Sequence, residues 1–136
     1  VKLAKQQSFL DDALNDRYAE LVDNTDFNPF NIVTSLAANQ HLNFGDLTSV
    51  FRSEIENICL NVGGTLNATF FYRIVCGYTC NMIESYYKRA GYVPKLIMDR
   101  IIDQVYKSSK SCSYGEYLLV SFEDFKYKMY FDLTHR

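Results

Sequence analysis

The sequence predicts an all-α fold: a single domain, residues 1–136, in which about seven or eight helices wrap one buried central helix. Three observations carry this reading. Apolar residues recur at three-and-four spacing along most of the chain, the mark of amphipathic helices. The stretch FFYRIVCGYTCNMIESYYKR, Phe70 to Arg89, carries Arg73 near its head and then no charge until Glu84. A helix apolar nearly all round is one buried among others. Finally, glycines punctuate the pattern at Gly63-Gly64 and Gly91 while only two prolines interrupt it.

In chain order, Lys5 to Leu21 places Phe9, Ala13, Leu14, Tyr18 and Leu21 on one stripe, with Asp11, Asp12 and Asp16 elsewhere. A surface helix follows from that division. Asn28-Pro29 starts a second helix, because proline is tolerated in a first turn, and Phe30, Val33, Leu36 and Ala37 continue its stripe. After a break at Asn43-Phe44-Gly45, Asp46 is expected to cap a helix ending near Leu60 and carrying Leu47, Val50, Phe51, Ile55, Ile58 and Cys59. Gly63-Gly64 breaks the chain, Thr65 or Asn67 caps the uncharged helix, and Gly91 ends it. Pro94 opens a helix through about Tyr106, followed by a polar loop from Ser108 to Ser113. Two short helices, Tyr114 to Phe122 and Glu123 to Leu133, complete the chain. Strand is permitted at Tyr117 to Phe122 by its tyrosine, valine and phenylalanine content.

Composition narrows the function. Apolar residues make up 48% and charged residues 22% of the chain, as in an ordinary globular protein. The net charge of -2 lacks the basic excess that neutralises phosphates, so no nucleic acid partner is expected. No run approaches the roughly 18 to 20 apolar residues of a membrane span. The N-terminal VKLAKQQSFLDDALNDRY is too polar for a signal peptide, and a start at Val1 is read as a trimmed or processed form.

Cys59, Cys76, Cys80 and Cys112 lack disulfide-framework spacing and are expected to be reduced, as in a cytosolic compartment. With His41 and His135 as the only histidines, ligands for zinc are short, and no metal or cofactor is expected. Catalytic signatures are sparse as well. Gly63-Gly64 lacks the downstream Gly-Lys-Ser/Thr of a phosphate loop, and the helix-one aspartates lack the spacing of a calcium loop. An enzyme would need Cys112 or Cys59 to meet a histidine in space, so the chain is read as having no catalytic residues. Arg73 then demands an explanation. Either it pairs inside the chain or snorkels off the helix end, or its guanidinium is exposed at the rim of an apolar groove for a partner's carboxylate.

Two motifs favour the groove. FRSEIENIC, Phe51 to Cys59, is similar to the aromatic-x-x-x-(Val/Ile)-x-x-(Leu/Ile) helix of the Bcl-2 family of apoptosis regulators, and Arg73-Ile74-Val75 resembles the end of that family's Asn-Trp-Gly-Arg-Ile-Val motif. VPKLIMDRIIDQVY, a polar loop and YGEYLLVSF follow at the spacing of the second homology motif, so the resemblance covers about Val50 to Phe125. Phe70, Phe71 and Tyr72 replace Asn-Trp-Gly, and Tyr106 and Tyr114 stand near the place of the missing tryptophan. Such a short, tyrosine-rich chain looks most like the virus-encoded prosurvival branch.

The resemblance implies an inhibitor of apoptosis that sequesters the amphipathic BH-3 helix of proapoptotic Bcl-2 family proteins in a hydrophobic groove between Asp46–Leu60 and the central helix. Arg73 would pair with the ligand's aspartate. Phe51 and Ile58, with Phe44, Leu47 and Val50, would line pockets; Glu54 and Asn57 would lie on the groove side of the same helix; Cys76 and Cys80 would form the floor. Glu54 replaces an apolar residue of the family and would narrow ligand choice. An exposed groove would also let two copies pair. The implied location is the host cytoplasm, with the mitochondrial outer membrane added if a tail has been removed. Two alternatives remain: a Bcl-2-fold viral immunomodulator with a closed groove, filled by Tyr72, that binds inflammatory-signalling proteins through other faces, and a small helical enzyme.

Overall fold

A computed structural model of the chain describes residues 47–135. Those residues form four α-helices and two 3-10 turns, with no strand among them: α1 (Thr48–Val62), the turn Gly63–Thr65, α2 (Ala68–Ala90), α3 (Lys95–Ser111), the turn Gly115–Tyr117 and α4 (Phe122–Thr134). The expected helices before residue 47, with Asp46 as a cap, lie outside the described residues. The chain is thus all-helical where described, and the strand permitted at Tyr117 to Phe122 does not form.

α2 is held at both ends by its own sequence. The Asn67 side chain accepts the Phe70 amide at 2.8 Å, satisfying one of the donors that a helix start leaves open. At the other end Gly91 takes the left-handed conformation, φ 80°, and its amide closes on the Tyr87 carbonyl at 2.7 Å. Between these ends Phe71, Ile74, Val75, Tyr78, Thr79, Met82 and Tyr86 have no more than traces of exposed surface. The buried Thr79 hydroxyl bonds back to the Val75 carbonyl, 2.8 Å, so its polarity is spent within the helix. α2 touches α1, α3, α4 and the turn Gly115–Tyr117; α3 touches the same set, so the two helices share the centre.

Three boundaries differ from the sequence expectation. α1 runs to Val62, one half-turn beyond Leu60, and its N-cap Leu47 offers no side-chain acceptor. α3 runs to Ser111, well past Tyr106, because its serines bond inward: Ser108 to the Gln104 carbonyl at 2.6 Å and Ser109 to the Val105 carbonyl at 2.8 Å. Hydroxyls that normally favour loops are absorbed by the helix they extend. The expected helix Tyr114 to Phe122 is a single 3-10 turn, after which Ser121 caps α4 by accepting the Asp124 amide at 3.2 Å.

The end of α3 is clamped to its surroundings. Lys110 Nζ donates to the Leu118 carbonyl at 2.6 Å, and Gly115 sits so tightly against the Lys110 carbonyl that any Cβ would collide with it. Tyr106 packs its ring on Phe122 and Phe125, centroids 5.4 and 5.5 Å away, while its hydroxyl donates to the Val120 carbonyl at 2.8 Å. A half-buried aromatic with a satisfied polar tip thereby ties α3 to α4. Asp99 reinforces the seam by accepting from the Tyr130 hydroxyl.

Candidate partner-binding site

The predicted site residues fall into two groups. On α1, Phe51, Ile55 and Ile58 are fully buried, Leu47 and Glu54 are partly buried, and Val50 and Asn57 are exposed. Phe44 lies outside the described residues. Residues 51, 55 and 58 share a helix face by spacing, and that face meets α2 and α3. Phe51 meets Tyr78 edge-on, ring centroids 5.7 Å apart. The Tyr78 hydroxyl donates to the Glu54 carboxylate at 2.8 Å. Burial pushes the Glu54 carboxyl above its ordinary range, and the Tyr78 hydrogen bond offsets part of that rise.

On α2, Arg73, Cys76 and Cys80 form the second group. At about 100° per residue they lie within about 60° of one another, and each stands about 140° to 160° around the axis from Tyr78. The α1 helix therefore packs against a different face of α2 from the one bearing Arg73. Cys76 looks elsewhere as well: Tyr72, Lys128 of α4 and Arg73 are its polar neighbours. Tyr72 likewise senses Asp132 and Asp124 of α4. Phe51 and Ile58, expected to line pockets, are core side chains with no exposed surface, and the Tyr78 side of α2 that Phe51 meets is not the side bearing Cys76 and Cys80.

Arg73 is 8% exposed, so its guanidinium is enclosed rather than displayed at a rim. Cys76 and Cys80 are enclosed too, at 4% and 7%. Burial, and then the neighbouring Cys80, push the Cys76 thiol up to about 12. Sequence reasoning identified the Arg73 face but missed Tyr78 as the residue that receives α1. Its signal was present: Phe71, Val75, Tyr78 and Met82 make a stripe at helical spacing on the opposite side of the same uncharged helix.

The remaining reactive groups do not assemble a catalytic set in the described residues. Cys59 and Cys112 approach each other, burial raising both thiols and Cys59 reaching about 12. The Glu56 carboxylate accepts from the Ser113 amide at 3.0 Å and so fixes the segment next to Cys112 against α1. His135 sits at the far end of α4, stacked on Phe131 with centroids 4.1 Å apart. Among the described residues no three histidine, cysteine, aspartate or glutamate side chains gather as metal ligands. No known protein family, curated protein or solved structure matches the chain.

Proposed function

We propose that the protein is a prosurvival regulator of the Bcl-2 type that captures the amphipathic BH-3 helix of a proapoptotic protein on the Arg73–Cys76–Cys80 face of α2. The observation that carries the reading is the placement of one arginine among small, apolar thiols on a single face of a central helix. An apolar strip with one cation is what an amphipathic helix with one aspartate requires. This face, enclosed in the structure, lies on the α4 side of α2 with Lys128 beside Cys76, and it is proposed in place of the α1–α2 groove expected from sequence.

Because Arg73 is enclosed, capture includes an opening step in which the guanidinium becomes accessible, and part of the binding free energy is spent there. Calorimetric titration with a panel of BH-3 peptides tests the reading. At least one peptide should bind, and Arg73→Ala should weaken it by roughly 2 to 5 kcal/mol by stranding the ligand's aspartate. In a double-mutant cycle with the ligand aspartate changed to alanine the two losses should be strongly non-additive. Additive losses would remove the contact on which the mechanism rests.

The burial of Phe51, Ile58 and Arg73 favours one second reading: a closed Bcl-2-like bundle that engages inflammatory-signalling proteins through its outer faces. Failure of every peptide in the panel, with a well-folded sample, selects it.

A further inference from the structure

The end of the α2–α3 hairpin gathers exposed cations and exposed apolar side chains. Between Glu84 and Asp99 the chain bears Lys88, Arg89 and Lys95 and no carboxylate, although the whole protein has a net charge of -2. Arg100 adds a fourth cation one turn after Leu96 on the same side of α3. All four are exposed, and among the described residues none of them enters an ion pair. Three of the eight large apolar side chains most exposed in the described residues lie here too: Tyr87 at 57%, Tyr92 at 58% and Leu96 at 68%. The left-handed Gly91 ends α2, and α3 begins four residues later at Lys95, so these side chains gather around one short connection, called the knob below.

We propose that this knob is a peripheral docking surface for an anionic lipid bilayer. Cations near a negatively charged leaflet each add about 1 kcal/mol of attraction, or about five-fold in partitioning. Tyrosine rings settle at the headgroup level, where one edge is apolar and the hydroxyl stays wet. Leu96 supplies an aliphatic chain for the acyl boundary, a feature for which a phosphate backbone of nucleic acid has no use. Among the described residues no helix is long and apolar enough to cross a membrane, so the association is one of contact with the surface.

The test uses the purified chain and sedimentable vesicles of phosphatidylcholine alone or with phosphatidylserine. Binding should appear only with phosphatidylserine and should fall as salt is raised, because the attraction is screened. Neutralising three cations in Lys88→Gln/Arg89→Gln/Lys95→Gln should lower partitioning about a hundred-fold, at about five-fold per charge. Leu96→Ala should lower it by a smaller, salt-independent factor. Circular dichroism and peptide titration of the variants should match the parent, since these side chains are exposed and stand apart from Arg73. Equal binding to neutral vesicles, or a triple variant that binds as well as the parent, would overturn the proposal. So would binding to a polyanionic oligonucleotide without binding to vesicles, which would assign the knob to nucleic acid.

Discussion

Glu54 and Tyr78 show how one side chain can be both a fastening and a cost. The carboxylate accepts the Tyr78 hydroxyl across α1 and α2, yet burial raises its pKa above the ordinary 4.5. A raised folded-state value means that the folded protein holds this proton more tightly than the unfolded chain. Its stabilising effect is complete below pH 4.5 and is lost as the pH rises through the folded-state pKa. At pH 7 the charge is a burden that glutamine would lift while keeping an acceptor for Tyr78. Glu54→Gln should therefore raise the melting temperature at pH 7 by on the order of 1–3 °C and have little effect near pH 4, as followed by thermal melts across that range. Tyr78→Phe should do the reverse at pH 7, costing about 1 to 2 kcal/mol because the carboxylate loses its donor. A Glu54→Gln melt that falls at pH 7 would show that the charge itself, rather than the acceptor, holds the helices together.

At the scale of the helices, local signals were legible and clamps made at a distance were not. Asn67, Gly91 and the uncharged run between Arg73 and Glu84 predicted α2 almost to the residue, because caps and breakers act within one turn. The continuation of α3 through Ser111 was hidden. Four serines within Ser108 to Ser113 look like a loop until their hydroxyls are seen returning to carbonyls one turn back and Lys110 is seen reaching Leu118. Spacing puts Cys76 and Cys80 on one face, and the family resemblance adds Arg73 and implies a groove with α1, but neither says which neighbour covers a face, and Phe51 of α1 meets Tyr78 on another side of α2. The cap makes a direct test. Asn67→Ala should cost about 1 kcal/mol, whereas Thr65→Ala, which loses only a bond from its hydroxyl to the Val62 carbonyl, should cost less. Denaturant titration of both variants measures the difference. Equal costs would mean that the turn Gly63–Thr65, and not the Asn67 side chain, sets the start of α2.

For the molecule as a whole, the four cysteines report on cooperativity. Cys59, Cys76, Cys80 and Cys112 belong to the same buried core, although they come from α1, α2 and the segment after α3. Burial pushes Cys59 and Cys76 up to about 12, so at neutral pH almost none of either is the nucleophilic thiolate. Cys76 and Cys80 stand one turn apart on α2, with Cβ atoms about 5 to 6 Å apart by helix geometry, beyond the roughly 4 Å that a disulfide requires. All four cysteines are free in the structure and should titrate as free under denaturing, non-reducing conditions, and a count of two or fewer in a sample never exposed to air would contradict this. In the native state their labelling requires the core to open. With about 5 kcal/mol or more of stability, that labelling should be at least a thousand-fold slower than in the unfolded chain. If the helices form one cooperative unit, denaturant should accelerate all four thiols together, with a single dependence on concentration that matches global unfolding. Early labelling of Cys112 alone would instead show that the segment between α3 and α4 opens independently despite its bonds to Glu56 and Lys110. Early labelling of Cys76 and Cys80 together would locate the weakest seam on the Arg73 face of α2, where ligand capture demands that the protein open.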